Sequence, residues 1–236
     1  MRYLIEQAES TGGFPGERTW EGVRFAYKPA TRDDAPLVFV FSGFPSAGKP
    51  RYNYLRALKR TDAHRVYVLD DIGIRGGYYL GLPVVELIEQ AATDHHGPVV
   101  TAGSSKGATA AIMFGFASPH VTHVIAGGPQ FYIGDYVRKA APDVADYMGA
   151  WDNPHLDRIV EEAVRSREGK PPGVRLLCSR NDHHHDLHLT PLRQLLDQLG
   201  IRYSYREARY TGHGEIGEPF GRYLREAIER LACVAA

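Results

Sequence analysis

Apolar residues in this chain fall into short runs that are separated by helical patterns. Five runs are dominated by apolar side chains and do not alternate with polar ones. These runs are residues 37–41, 66–69, 98–102, 121–126 and 174–178. Runs of this kind are typical of strands buried on both faces of a parallel sheet. A strand with alternating polarity is predicted at residues 202–208, and two N-terminal strands at residues 3–7 and 20–27.

Helical patterns lie between most of these strands. The predicted helices are residues 52–59, 84–92, 108–117, 191–199 and 219–231. In the last of them, apolar residues recur at spacings of three and four, which is typical of an amphipathic helix. Alternating strands and helices predict an α/β fold with a mostly parallel central sheet and helices on both faces. The pattern contains no linker, so residues 1–236 are interpreted as a single domain.

Residues 129–173 interrupt this alternation because they contain no strong strand pattern. They are interpreted as a small helical insertion. A lid over a pocket and a surface insertion without a role both remain open.

Composition narrows the function classes. The 236 residues include 28 Lys plus Arg and 28 Asp plus Glu, so the net charge gives no reason to expect a nucleic acid or an anionic membrane as partner. No apolar run is long enough to span a membrane, and the N-terminus lacks the apolar stretch of a secretory signal. A cytoplasmic protein is therefore expected. Two cysteines make no disulfide framework. No cofactor is implied, and a homo-oligomer stays open.

One motif carries most of the chemical information. Gly103-x-Ser105-x-Gly107 lies between an apolar strand and an Ala-rich helix. A serine at the apex of so sharp a turn takes a strained backbone conformation, and the two glycines let strand and helix approach closely. Its hydroxyl then projects above the sheet beside a helix N-terminus, which favours developing negative charge.

This segment resembles the nucleophile elbow of the α/β-hydrolase superfamily. The resemblance extends over most of the chain, because an acid and a histidine follow in the family's order. It implies that Ser105 is the nucleophile, Asp182 the acid and His213 the base. Asp186 lies only four residues after Asp182 and stays an alternative, although the strand-end position favours Asp182.

The resemblance also implies an oxyanion hole made of two backbone N–H groups. Lys106, directly after the nucleophile, supplies the first. The Ser42-Gly43-Phe44-Pro45 segment resembles the family's His-Gly-x-Pro loop, and Phe44 supplies the second. Ser42 replaces the usual histidine, which alters the hydrogen bonding of this loop. A backbone donor does not depend on that side chain.

Three other patterns suggest ligand sites. Residues 43–49 match a phosphate-binding loop up to its last position. There Pro50 replaces the Ser or Thr whose hydroxyl holds Mg²⁺, so nucleotide binding is disfavoured. Asp70 and Asp71 end an apolar strand, as a metal-binding acid would. The cluster His183-His184-His185-Asp186-x-His188 suggests a metal, but it has no zincin pattern, and a solvated or pocket-lining cluster is preferred.

A Gly-rich loop contributes the candidate substrate contacts Arg75, Tyr78 and Tyr79. They are expected to line a pocket at the same edge of the sheet. Packing is the alternative role for the two tyrosines.

Three hypotheses for function follow. In the first, the protein is a serine hydrolase that cleaves an ester or thioester of a small-molecule or carrier-bound acyl group through an acyl-Ser105 intermediate. In the second, the same site transfers the acyl group to an alcohol or amine, as an acyltransferase or cyclase. A weaker likeness to hydrolase-like proteins of accessory secretion and capsule biosynthesis favours this alternative. In the third, the protein is a non-catalytic binding protein on a hydrolase fold.

Overall fold

The computed structural model describes residues 5, 7–11, 14–45, 51–72 and 75–234. In chain order its strands are β1 (Glu9–Ser10), β2 (Glu17–Trp20), β3 (Val23–Lys28), β4 (Leu37–Phe41), β5 (His64–Leu69), β6 (Val99–Ser104), β7 (His123–Gly127), β8 (Gly173–Cys178) and β9 (Tyr203–Glu207). They form one sheet in the spatial order β1-β2-β3-β5-β4-β6-β7-β8-β9. The strands β5, β4, β6, β7, β8 and β9 pair in parallel with their neighbours. The pairs β1–β2, β2–β3 and β3–β5 are antiparallel.

Seven α-helices accompany the sheet within the described residues. They are α1 (Val84–Ala92), α2 (Lys106–Ala117), α3 (Ile133–Ala140), α4 (Pro142–Tyr147), α5 (Ile159–Arg165), α6 (Thr190–Gln198) and α7 (Gly217–Val234). Among them, none combines the length and the apolar character needed to cross a bilayer.

Helices cover both faces of the sheet, as predicted. Side chains of each central strand therefore alternate between two apolar cores, one on each face. Leu37 and Phe39 of β4 pack into the core that contains buried residues of α1, α2, α5 and α6. Val38 and Val40 of the same strand face the second core, where Phe220 and other residues of α7 cover the sheet. The α/β class and the mostly parallel sheet predicted from the sequence are confirmed.

Three predicted elements lie on the N-terminal side of the chain. The strand predicted at residues 20–27 is confirmed over residues 23–27, which belong to β3. Its start is wrong, because Glu21 and Gly22 have φ of 45° and 84° and turn the chain from β2 into β3. The helix predicted at residues 52–59 is also wrong. This segment forms turns, and Tyr54 has a φ of 62°, which no α-helix accommodates. Most of the strand predicted at residues 3–7 lies outside the described residues.

Residues 129–173 contain α3, α4, a 3₁₀ turn at Pro154–Asp157 and α5. Helix α5 packs against α2 and so belongs to the helical layer beside the sheet. Helices α3 and α4 follow the carboxyl end of β7. The role of this segment as a lid stays a prediction.

Strand β6 and helix α2 approach so closely that neither can carry a side chain at the contact. A Cβ atom at Gly103 would lie 2.3 Å from the carbonyl oxygen of Gly107. A Cβ atom at Gly107 would lie 2.3 Å from the carbonyl oxygen of Phe41. Both obstacles are backbone atoms, which cannot move aside as a flexible side chain can. The glycines of the motif are therefore required by the packing of the strand, the helix and β4.

We expect Gly107→Ala to lower the free energy of unfolding by about 1–3 kcal/mol, because the new methyl group forces α2 away from β4. Gly217→Ala is the matched control, since a Cβ atom there meets nothing within 4 Å. Urea unfolding of both variants measures the difference. Equal stability of the two variants would contradict the close approach.

Candidate active site

Ser105 lies at the turn between β6 and α2, and its backbone is strained. Its φ of 55° and ψ of −127° are unusual for a residue with a side chain and cost about 1–3 kcal/mol. The hydrogen bond from the Ser105 N–H to the Gly127 carbonyl, at 2.8 Å, helps to hold this conformation. The sharp turn predicted from the motif is thus present.

His213 reaches the Ser105 hydroxyl from the loop that follows β9. Its Nε2 atom lies 2.8 Å from Ser105 Oγ, and its Nδ1 atom lies 2.8 Å from Asp182 Oδ2. The loop is braced because the Thr211 N–H and hydroxyl both donate to the Glu215 carboxylate, at 3.0 and 2.9 Å. These contacts join the three predicted side chains in one continuous chain of hydrogen bonds.

Asp182 follows β8 and is buried, with a side-chain exposure of 0%. Besides His213, it accepts hydrogen bonds from the Tyr210 hydroxyl at 2.8 Å and from the His184 N–H at 2.9 Å. Burial alone would raise the pKa of Asp182, but the hydrogen bond and charge of His213 hold it well below its ordinary value. The alternative acid, Asp186, is 88% exposed and pairs with His185. Asp182 is therefore the carboxylate that contacts His213.

Gln130 is a polar contact of Ser105 that sequence reasoning missed. Its side chain is fully buried, and its Nε2 atom donates to Ser105 Oγ at 3.1 Å. The Tyr78 hydroxyl donates to Gln130 Oε1 at 2.5 Å. No motif marks this position, because it lies in the stretch after β7 where the sequence shows no pattern.

The two predicted oxyanion donors lie beside the elbow. Among the residues that the structure describes, neither the Phe44 nor the Lys106 backbone N–H donates a hydrogen bond. The Ser42 hydroxyl donates to the Val68 carbonyl at 2.9 Å, and the Gly43 N–H donates to Asn53 Oδ1 at 2.8 Å. The loop is thus anchored without the family's histidine. Its role as an oxyanion hole stays a prediction.

The Lys106 side chain forms a buried ion pair with Asp70. The Lys106 Nζ and Asp70 Oδ2 atoms are 2.8 Å apart, and both side chains are 0% exposed. Burial lowers the pKa of Lys106, and the nearby Asp70 carboxylate opposes this effect. The ammonium also lies 5.0 Å from the Phe44 ring centroid, at a distance typical of a cation–π contact. The pair thus links the end of β5, the start of α2 and the Phe44 loop. Asp70, one of the two acids that suggested a metal site, binds the Lys106 ammonium.

The other acid of that pair of candidates, Asp71, binds the Arg24 guanidinium at 2.6 Å. Residues 46–50 of the phosphate-loop pattern lie outside the described residues.

The histidine cluster divides between solvent and the site. His184 stacks on His213 with ring centroids 3.6 Å apart, and its Nδ1 atom lies 2.9 Å from the Gly128 carbonyl. Burial and the positive charge that His213 can acquire lower the pKa of His184 to about 2. Asp182, His183 and His184 form the one group in the described chain that could hold a metal ion. A cation there would compete with His213 for Asp182.

The predicted substrate contacts differ in exposure. Tyr78 and Tyr79 are fully buried; Tyr78 binds Gln130, whereas the Tyr79 hydroxyl donates to the Ser42 carbonyl at 3.0 Å. Arg75 is partly exposed and pairs with Asp143 of α4. Their contact with a substrate stays a prediction.

No protein-family model matches the chain, and no curated protein matches it in sequence. Solved structures do match it. The capsule O-acetyltransferase of Neisseria meningitidis serogroup A has a TM-score of 0.79 at 21% identity, covering 94% of this chain and 98% of that chain. The glycosylation associate protein complex of Streptococcus agalactiae has a TM-score of 0.75 at 16% identity, covering 95% of this chain and 46% of that chain.

An S-formylglutathione hydrolase from Staphylococcus aureus has a TM-score of 0.61 at 11% identity, covering 89% of this chain and 92% of that chain. Identities this low establish a shared fold and not a shared activity. The resemblance expected from the sequence is confirmed at that level: the chain has the α/β-hydrolase fold.

Proposed function

We propose that the protein is a serine-dependent acyl hydrolase that cleaves an ester or thioester. The observation that carries this proposal is the continuous chain of hydrogen bonds from Ser105 Oγ through His213 to Asp182, at 2.8 Å for each link. A serine becomes a good nucleophile when a neutral imidazole can take its proton, and the carboxylate fixes the tautomer of that imidazole. The esterases among the structural neighbours support the same class.

The reaction proceeds in two halves. Ser105 Oγ forms a bond to the acyl carbon while its proton passes to His213 Nε2. His213 then gives this proton to the leaving alcohol or thiol as the C–O or C–S bond breaks. Water attacks the acyl-Ser105 carbonyl, His213 takes the water proton, and Ser105 recovers it when the acid leaves. The Phe44 and Lys106 N–H groups stabilise the carbonyl oxygen in both halves.

We expect Ser105→Ala to reduce turnover of p-nitrophenyl esters by at least about 10³-fold, because no acyl intermediate can form. A panel of esters of increasing chain length measures the rate and the preferred acyl group. Ser104→Ala is the matched control, since the Ser104 hydroxyl contacts Tyr54 and not His213. Hydrolysis by Ser105→Ala at the native rate would contradict the mechanism, and an inactive native protein would favour a non-catalytic binding role.

Asp182→Asn and Asp186→Asn separate the two candidate acids. We expect the first to lower turnover by on the order of 10³–10⁴-fold, because an amide cannot stabilise the charged imidazole or fix its tautomer. The second removes an exposed carboxylate and should leave turnover within about twofold. Ester hydrolysis measured at one pH, with circular dichroism as the check on folding, distinguishes them. A larger loss in Asp186→Asn would reverse the assignment.

An acyltransferase is the second candidate, and a groove next to the site favours it. The groove has a volume of about 910 Å³ and lies between residues 51–57 and the start of α7. Four of its lining side chains are arginines, and one is acidic, Glu218, which forms an ion pair with Arg222. The arginines are Arg51, Arg56, Arg222 and Arg225. They come from two distant segments of the sequence and form no basic run, so the charge balance of the chain conceals them.

Positive charge at this place suits the phosphates of an acyl carrier. Asn53 and Tyr54 line the groove and also contact Gly43 and Ser104, so one end of it adjoins the elbow. One neighbouring structure is a capsule O-acetyltransferase variant in complex with CoA. In the transferase reaction an acceptor hydroxyl replaces water and gives its proton to His213.

We expect Arg56→Gln combined with Arg225→Gln to raise the KM for acetyl-CoA by about tenfold, the equivalent of ~1.4 kcal/mol. The KM for p-nitrophenyl acetate and for S-acetylpantetheine, which lacks the phosphates, should not change. Arg165→Gln, on α5, is the control for loss of an exposed arginine. An equal rise for all three substrates, or none for acetyl-CoA, would contradict a phosphate-binding role for the groove.

A further inference from the structure

Gln130 contacts the oxygen atom that reacts in the proposed mechanism. Ser105 Oγ donates to His213 Nε2 at 2.8 Å and accepts from Gln130 Nε2 at 3.1 Å. A hydroxyl has one proton and two lone pairs. With the proton directed at His213 and one lone pair held by Gln130, a single lone pair remains to attack a carbonyl.

The orientation of the Gln130 amide follows from the partner of its oxygen atom. The Tyr78 hydroxyl donates to Gln130 Oε1 at 2.5 Å, so the amide oxygen faces Tyr78 and the NH₂ group faces Ser105. A flipped amide would set its oxygen against Ser105 Oγ, whose proton is directed at His213, so two acceptors would face each other. The Gln130 backbone is also fixed, because its N–H donates to the Thr109 hydroxyl at 2.9 Å and its carbonyl accepts from the same hydroxyl at 3.1 Å.

Burial makes this arrangement both strong and selective. Gln130 and Tyr78 are each 0% exposed, so water does not compete for their hydrogen bonds. Tyr78 also keeps a φ of 58°, which is unusual for a residue with a side chain. A buried, oriented amide aimed at one hydroxyl is costly to retain unless its polar atoms are paired, and here both ends are.

We propose that Gln130 is a catalytic residue that donates a hydrogen bond to the nucleophilic oxygen, with Tyr78 as the positioning residue that orients the amide. This inference rests on the proposed function and extends it, because the Phe44 and Lys106 N–H groups act on a different atom, the carbonyl oxygen. Gln130 keeps its own proton throughout.

The hydrogen bond is most useful when charge develops on Oγ. During attack, Oγ gains negative character as its proton passes to His213, before the bond to the acyl carbon is complete. When the second tetrahedral intermediate collapses, Oγ again carries charge as the leaving group. A fixed donor at 3.1 Å stabilises both moments without reorganisation.

The test uses a fluorophosphonate probe, because it reports the nucleophilicity of Ser105 without knowledge of the substrate. Gln130→Met replaces the amide by an apolar side chain of similar length, and Tyr78→Phe removes the hydroxyl alone. We expect Gln130→Met to slow labelling by about 10–100-fold and to lower kcat for p-nitrophenyl acetate, with little change in KM. Tyr78→Phe should slow labelling by a smaller factor.

A double-mutant cycle separates positioning from packing. If Tyr78 acts through Gln130, then Tyr78→Phe should have almost no further effect in the Gln130→Met background. Tyr67→Phe is the control for a hydroxyl lost from an almost fully buried tyrosine, since Tyr67 lies in the core beneath α7. Thermal unfolding of each variant checks the fold, and Tyr78→Phe carries the test if Gln130→Met does not fold.

Native-like labelling of a folded Gln130→Met variant would overturn the inference while leaving the proposed function intact. Additive effects of the two substitutions would overturn the positioning role of Tyr78. If the native protein is not labelled at Ser105, both the proposed function and this inference fail.

Discussion

The candidate active site depends on one imidazole, that of His213, which forms hydrogen bonds with the Ser105 hydroxyl on one side and the Asp182 carboxylate on the other. His213 can do this only if three segments, distant in sequence, end within hydrogen-bond distance of one another. Parallel strands make that possible, because the carboxyl ends of β6, β8 and β9 lie at the same edge of the sheet. Ser105, Asp182 and His213 each follow one of these strand ends.

Buried polar groups then determine how rigid this edge is. Asp182 is charged and fully buried, and it is tolerated because His213, Tyr210 and a backbone N–H all donate to it. The Lys106–Asp70 pair fulfils a similar role on the other side of the elbow, where it connects α2 to the loop after β5. Removing one partner of such a pair leaves an uncompensated buried charge. The loss of stability is then far larger than the net contribution of the intact pair to stability. The two groups of contacts fix the elbow between them.

Much of this could be predicted from the sequence because it depends on local signals. The glycines around Ser105, the apolar strands and the order of acid and histidine are visible in one dimension. The helix expected at residues 52–59 was wrong, because the spacing of apolar residues does not reveal the positive φ of Tyr54, which turns the chain there. Gln130 could not be found, since its contact with Ser105 depends on how the chain folds back after β7.

Other features were concealed for the same reason. Lys106 was assigned a role through its backbone alone, because no pattern shows that Asp70 lies beside its ammonium. The four arginines of the groove come from two distant segments, so a balanced composition gave no hint of local positive charge. Contacts between distant side chains are a property of the packed fold and are not encoded by spacing.

The most direct test of the account is to trap the acyl group on the protein. The native protein is mixed with p-nitrophenyl acetate, quenched in acid and digested, and the acetylated residue is located by mass spectrometry. We expect an acetyl group on Ser105 in the native protein and none in His213→Ala. An acetyl group on Ser104 instead, or equal acetylation of Ser105 without the imidazole, would contradict it.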